Sequence, residues 1–570
     1  MKRTFIFLFS LFMFLQAGMT QNWSSFGGGN DRSGRSKITG PSSVNTALWS
    51  VNSPLQTTLG NAVYTFGDRF VTSRITFSPY RGSVECRNLQ TGALLWTSPF
   101  ISNTSILYVI GFTEDGVYVN DYATGEIYAL YPEDGRIRWK APIRSTTFGA
   151  YPGCVFACNG DPILAGRSED GRFTVRLDKH TGQLVWSNNT LIAVTPNAAL
   201  AAAENRVYRI TGGITLPIVL TAIDIETGKT LYSSSPIPGD GDQENPITLG
   251  PGGKIYFWRD GGKLYAYEDD GNSFRELWSY TPQVITGAAL SGNISLSADG
   301  DLYVFDTDRV LKLDQLTGDP VSGTASFSFS QPSISVGADS TVYLNDGKGQ
   351  FYAYTADLQN KKWQLAANGN VYCNPALAKD GILVLTQAGT RIIAYKYSGE
   401  RAPVADISVS KLRIMAGESV DFYDQSSYGP EEWEWTFTGA RTASSSEKDP
   451  RAIFYDAEGV YDVGLRVRNA QGADSLMAFC KIEVVSATAT ENEVDDWDIR
   501  IYPNPARDGI WVQAPVGAEL QIHNLQGSVC YKGQGTGEKH YIDLPPIPGL
   551  LILQITHDKG STTRIIQVQP

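Results

Sequence analysis

Between residues 80 and 400 the chain alternates apolar and polar side chains in short runs, each closed by a polar turn. The fullest copy reads Val175-Arg176-Leu177-Asp178-Lys179-His180-Thr181-Gly182-Gln183-Leu184-Val185-Trp186. Period-two alternation predicts a half-buried strand, because successive side chains switch faces. An Asp that folds onto the turn backbone, followed by a Gly free to take a positive φ, predicts a tight turn at the tip. Tips recur at Gly92, Gly135, Gly182, Gly228, Gly271, Gly318, Asn360 and Gly399, with steps of 43, 47, 46, 43, 47, 42 and 39 residues. A period in the forties built from strands predicts a β-propeller with one four-stranded blade per repeat.

Four residues beyond the tip, Trp96, Trp139 and Trp186 are placed to wedge an indole against a neighbouring blade. Tyr232 takes that place in the fourth repeat, and Trp278 and Trp363 sit at shifted spacings. At the seventh tip Asn360 replaces Gly, a substitution expected to keep the left-handed conformation that Asn tolerates. The eighth repeat, Ile393 to Gly399, has no Trp after its tip, whereas Ala47-Leu48-Trp49-Ser50 is a Trp strand with no tip before it. The two halves complement each other, so the N-terminal strand is expected to complete the last blade and remove an exposed sheet edge. The expectation is an all-β fold with an eight-bladed propeller, seven being the alternative, over residues 22–400.

The phrase A-x-D-x-x-T-G-x-x-x-W resembles the quinoprotein (PQQ-like) propeller repeat, shared with the outer-membrane assembly propeller lipoprotein. The opening Asn22-Trp23-Ser24-Ser25-Phe26-Gly27 with Arg32-Ser33-Gly34-Arg35 resembles the first segment of the same family. The resemblance implies a fold rather than a chemistry. Quinoprotein dehydrogenases carry an adjacent Cys pair beside the cofactor, and no two of the six Cys here are adjacent. The expectation is that scaffold without its quinone site.

From Pro403 the pattern changes. Trp433-Glu434-Trp435-Thr436-Phe437 and Gly459-Val460-Tyr461-Asp462-Val463-Gly464-Leu465 alternate as strands of a small β-sandwich. Residues 402–486 resemble a PKD domain, with Thr438-Gly439-Ala440 where that family has Gly-Asp-Gly. Residues 487–496 are small, polar and acidic, a linker composition. Residues 497–570 open on Ile501-Tyr502-Pro503-Asn504-Pro505, followed by Asp508 and Gly509. That block resembles the C-terminal sorting domain of type IX secretion substrates, here a small C-terminal β-sandwich. The resemblance implies Tyr502, Pro503, Asn504, Pro505, Asp508 and Gly509 as the sorting motif and the type IX secretion machinery as partner, with the tail removed in the linker after export.

At the other end, Lys2 and Arg3 precede an apolar run from Phe5 to Leu15, which reads as a signal peptide over residues 1–20. No later stretch reaches ~18 apolar residues, so no transmembrane segment is expected in the mature chain. Charge is uneven. Residues 402–486 carry 8 Lys+Arg against 14 Asp+Glu, and residues 487–570 carry 6 against 10, which leaves −2 of the chain's −12 for residues 1–401. A nearly neutral propeller offers no basic stripe for phosphates, which argues against nucleic acid as a partner.

Candidate chemistry is sparse. Of four His, only His180 lies in the propeller, and it stands in a repeat tip, where a solvated turn residue is expected. Serine or cysteine triads and multi-His zinc sites are thereby disfavoured. Cys154 and Cys158 would lie about 13 Å apart on one strand, too far for a bridge, so buried thiols are expected unless a local turn brings them together. Asp240-Gly241-Asp242-Gln243-Glu244-Asn245, and Asp299-Gly300-Asp301 with Asp306 and Asp308, offer carboxylates of the kind that hold Ca²⁺, without the full loop spacing. Trp433 with Glu431, Glu432 and Glu434 makes a candidate sugar or cation patch, weighed against a solvated strand face. The reading is an exported protein at the cell surface (outer-membrane attached) or in the extracellular space. Its propeller and PKD-like module would form a non-catalytic binding scaffold for protein or glycan, an adhesion role, with no catalytic, cofactor or metal residues assigned. The alternatives are an extracellular polysaccharide-active enzyme and an envelope or secretion-apparatus component that retains its C-terminal domain.

Overall fold

The computed structural model describes residues 22–485 and 500–568, except 26, 54–56, 60–62, 78–79, 102–106, 122, 146–153, 169–170, 189–199, 204, 214–215, 239–246, 260–262, 283–293, 330–332, 367–374, 388–390, 503–508, 525–528, 545–548 and 558–559. The signal-peptide reading and the linker at 487–496 therefore lie outside the described residues. Among the described residues the architecture is all-β, with two short 3-10 turns at Pro251–Gly253 and Lys379–Gly381.

The strands between residues 49 and 396 sort by repeat into antiparallel units, in five sheets of four strands, one of five, and one of eight that joins two repeats. The unit holding the fullest repeat runs Val155–Phe156, Pro162–Ser168, Gly171–Leu177 and Leu184–Asn188. In the last unit, Ala376–Ala378, Ile382–Gln387 and Arg391–Lys396 are joined by Trp49–Asn52 from the start of the chain. Trp49 pairs with Ala394 and Asn52 with Arg391, so the N-terminal strand closes the ring and leaves no free edge on that unit's third strand.

Indoles lock each unit to the next. Trp49, Trp96, Trp139 and Trp186 donate from Nε1 to the carbonyls of Leu89, Pro132, Lys179 and Ile225, at 2.8–3.0 Å. Trp278 does the same to Gln315 at 3.1 Å. Trp363 reaches Pro41 O at 3.2 Å. The rings of Trp49, Trp96, Trp139, Trp186 and Trp278 then lie against the next tip glycine. A Cβ placed on Gly182 would sit 2.5 Å from the Trp139 indole, and one on Gly228 would sit 2.5 Å from that of Trp186. The tip glycines thus serve twice, supplying φ near +70° and leaving room for the neighbour's indole. In the fourth unit Tyr232 stands in for Trp and donates its hydroxyl to Asp269 at 2.5 Å.

Two tips depart from the expected turn. At the seventh, Leu358 rather than Asn360 takes the positive φ of +61°, while Asn360 donates its N–H to Thr355 Oγ1. Gly399 is not in the left-handed region; there the chain is already leaving the ring.

Residues 22–40 wind past the innermost strands in chain order. Thr65, Phe112, Ala202, Leu249, Leu296 and Val336 donate backbone N–H groups to the carbonyls of Trp23, Ser24, Asn30, Asp31, Ser33 and Gly34, at 2.7–2.9 Å. In the third unit the Asn30 side-chain amide exchanges two bonds of 2.8 Å with the Phe156 backbone. Arg32, 1% exposed, bonds Leu200 O, Cys154 O and Ser25 Oγ. One segment thereby satisfies inner-strand donors that would otherwise be buried without partners.

After Pro403, strands from Ile407–Val409 to Gly472–Val485 build a second core around Trp435, Phe437, Phe422, Tyr455 and Leu465. It belongs to the same compact unit as the ring, residues 1–484. The remaining strands form a separate unit. There a three-stranded sheet (Arg500–Tyr502, Gly509–Gln513, His540–Asp543) and a four-stranded sheet (Glu519–Asn524, Val529–Gln534, Gly549–His557, Gly560–Val568) share a core that includes Ile510, Val512, Leu520, Leu553 and Ile566.

Candidate functional site

The structure disperses most of the candidate groups. Asp299 and Asp301 lie before the strand Leu302–Asp306, while Asp306 and Asp308 lie at its far end, so the four carboxylates do not converge. Asp301 pairs with Lys312 at 3.1 Å, and Asp306 accepts the Tyr280 hydroxyl. Residues 240–245 lie outside the described residues. Among the described residues no three His, Cys, Asp or Glu side chains are grouped to hold a metal ion.

His180 is in the turn, as its repeat position requires, but it is not solvated. It is half-buried and its Nε2 is enclosed with no partner among the described residues. Burial, helped by the Lys179 ammonium, lowers its pKa. Cys154 is a buried free thiol, pushed by burial up to about 12. Cys158 departs from expectation. It is exposed, in a turn just past the two-residue strand Val155–Phe156, and is held in a disulfide whose partner is not Cys154.

The Trp433 patch also separates. Along Glu432–Phe437 the exposed residues are Glu432, Glu434 and Thr436, while Trp433 shares the opposite face with buried Trp435 and Phe437. Glu432 and Glu434 pair loosely with Arg468 and Arg466 on the adjacent strand, at 3.9 and 3.7 Å. Of the residues expected to form a sorting motif, Tyr502 ends the strand Arg500–Tyr502 and Gly509 opens the strand Gly509–Gln513, with Tyr502 opposite Trp511 and Gly509 opposite Asp543. Pro503, Asn504, Pro505 and Asp508 lie outside the described residues.

What the fold does assemble is a seam between the ring and the second core. Glu114 accepts Val409 N at 2.8 Å and the Lys481 ammonium. Asn22 donates to Asp406 at 2.9 Å. Asp380 N donates to Ser427 Oγ at 2.9 Å, and Asp380 Oδ1 accepts Tyr428 N at 3.2 Å. The Tyr428 hydroxyl accepts Thr39 N and donates to Thr39 O, both at 3.1 Å. Beside these contacts lies a cleft of about 320 Å³, lined among others by Arg35, Lys37, Thr39, Arg401, Tyr428 and Asp474. Burial lowers the pKa of Arg35. Arg401 lies over the Tyr397 ring at 5.2 Å. Asp474 is turned to the backbone, accepting Ala405 N at 3.0 Å. Sequence reading missed this cleft because its cations come from positions 35, 37 and 401, which no motif links.

Residues 80–244 match the family described as outer membrane protein assembly factor BamB. Among curated proteins, quinohemoprotein alcohol dehydrogenase ADH IIB of Pseudomonas putida is 26% identical over 175 residues, which are 29% of this chain and 25% of that protein. Quinohemoprotein alcohol dehydrogenase ADH-IIG of the same organism is 33% identical over 132 residues, 21% and 18% of the two chains. The chain thus spans no more than 25% of the length of these relatives. Among solved structures, BamB from Moraxella catarrhalis aligns over 62% of this chain and 100% of its own at 14% identity and a TM-score of 0.46. A europium-containing methanol dehydrogenase aligns over 66% and 90% at 12% identity and a TM-score of 0.49. Residues 80–244 are thus similar to PQQ-like repeats of the BamB type.

Proposed function

We propose that the chain is an exported, non-catalytic binding scaffold whose ring and second module together present a rigid recognition surface to a protein or glycan. One observation carries the reading. Residues 22–40 run past the inner strands as a hydrogen-bonded plug, so that backbone groups of that segment are engaged in holding the ring. Among the described residues, Asp299, Asp301, Asp306, Asp308 and His180 are not grouped in a common site. Rigid strands that display loops at their ends suit recognition more than turnover.

Export rests on the residue pattern at both ends of the chain. The leader-like run at Phe5–Leu15 supports passage of the inner membrane. The Ile501-Tyr502-Pro503-Asn504-Pro505 block supports recognition by the type IX secretion machinery, with residues 402–486 as a PKD-like module. A second reading, an envelope-assembly component that keeps its C-terminal domain, is favoured by the BamB-type match over residues 80–244.

The test is a glycan and protein binding array with the full chain, run beside an activity screen on extracellular polysaccharides and, after PQQ and Ca²⁺ are supplied, on alcohols. Saturable binding without turnover is the expected result. Turnover abolished by one substitution in the ring would overturn the scaffold reading. Capture of outer-membrane assembly proteins from the native envelope, rather than any array ligand, would favour the second.

A further inference from the structure

Three cationic side chains, Arg35, Lys37 and Arg401, line the seam cleft with one carboxylate, Asp474. None of the three is in an ion pair within 4.0 Å among the described residues. Two oriented polar atoms add to this. Arg401 Nε and Thr39 Oγ1 are buried without a hydrogen-bond partner among the described residues. The arrangement is unusual for this chain, whose net charge is −12 and whose residues 402–486 are acidic. Three like charges facing one cavity repel each other, and a buried guanidinium N–H without an acceptor carries a desolvation cost. A bound anion offsets both costs.

We infer that the seam cleft binds an oxyanion-bearing ligand of about one sugar residue, a carboxylated or phosphorylated sugar, with the anionic oxygens held by Arg401, Lys37 and Arg35. The geometry assigns distinct roles. Arg401 lies over the Tyr397 ring at 5.2 Å, and a guanidinium held there can offer N–H donors to the oxygens of an anion. Lys37 and Arg35 supply charge from the plug segment. Thr39 Oγ1 is an additional hydroxyl at the same wall. The Ala402-Pro403-Val404 strip and the Tyr428 ring line the cleft as well, giving an apolar face for the ligand body. A volume of about 320 Å³ falls at the small end of ligand sites and exceeds what a bare inorganic anion fills. The inference deepens the scaffold reading, and names a ligand class for one site on it.

The experiment is calorimetric titration of the full chain with sodium D-glucuronate, glucose 6-phosphate, inorganic phosphate and D-glucose at about 20 mM ionic strength, where exposed charges are little screened. Thermal unfolding with each compound runs beside it, because a ligand bound only to the folded chain raises the midpoint. Binding of either sugar anion, at least tenfold weaker in the Lys37→Gln/Arg401→Gln double variant, is the expected result, and the preferred anion identifies carboxylate or phosphate. Asp474→Asn removes the only lining carboxylate while keeping an acceptor for Ala405 N, and should tighten binding two- to fivefold. Misfolding cannot produce that gain. Equal binding of inorganic phosphate would overturn the sugar-sized ligand. Absence of binding by all the anions, binding of D-glucose alone, or affinity indifferent to the three substitutions would overturn the site. An array ligand retained by the double variant would sink this site while leaving the scaffold standing.

Discussion

At the scale of single residues, the plug segment concentrates the costs of burial. Asp31 is 9% exposed, and burial pushes its carboxyl up to about 6, against the opposing pull of its bonds to Ser33. A carboxyl whose folded pKa is raised binds more protons folded than unfolded, so stability falls as pH rises from about 4 to about 6. The shift corresponds to about 3 kcal/mol at most. Asp31→Asn keeps an acceptor for Ser33 N and should flatten that slope, as measured by denaturant unfolding at pH 4 to 8; an unchanged slope would assign the pH dependence elsewhere. Leu358 shows where residue-level reading goes astray. Asn is the better left-handed residue, yet the 1% exposed Leu358 holds the positive φ, because its side chain belongs to the core with Phe305 and Val342 and packing outweighs turn preference.

At the scale of elements, the repeat is a strand, a turn and a lock. Trp186→Ala removes a buried indole and one of the two donors to Ile225 O, leaving Arg176 as the other, so a loss of about 3–5 kcal/mol is expected from chemical denaturation. Two glycines separate the parts of the turn's cost. Gly182→Ala must move the Trp139 ring, since the new Cβ would lie 2.5 Å away, whereas Gly417, at φ +91°, has nothing within 4 Å. Gly417→Ala should therefore lose only about 1 kcal/mol of backbone preference. Gly182→Ala should lose that and about 1–3 kcal/mol more from overpacking. Equal losses in the two variants would show that the indole moves freely. This layer was largely legible beforehand, because the tip glycines, the Trp spacing and the Trp49 strand are local signals. The Cys158 disulfide was not, since a bridge depends on which segments the fold brings together.

At the scale of the whole molecule, the ring and the second core behave as one body in their contacts. Glu114, Asp380 and Thr39 on one side meet Val409, Lys481, Ser427 and Tyr428 on the other. Residues 1–484 should accordingly unfold in a single calorimetric transition, with residues 485–570 melting separately. Glu114→Ala combined with Ser427→Ala removes three of the bonds and should split the first transition or lower its midpoint by several degrees. An unchanged trace would show that these bonds do not hold the seam.

The sequence by itself determined the all-β class, the four-stranded repeat and the strand exchange that closes the ring, because alternation, glycine tips and a fixed period are local properties of the chain. It also supplied every resemblance that bears on export. Only the tertiary structure decided how residues 22–40 satisfy the inner strands and how the second core docks. It alone decided that Arg35, Lys37 and Arg401 line one cleft while the candidate acids and Trp433 part company. Those outcomes depend on contacts between residues hundreds of positions apart and on which face of a strand meets a neighbour, and neither is encoded in any short stretch of sequence.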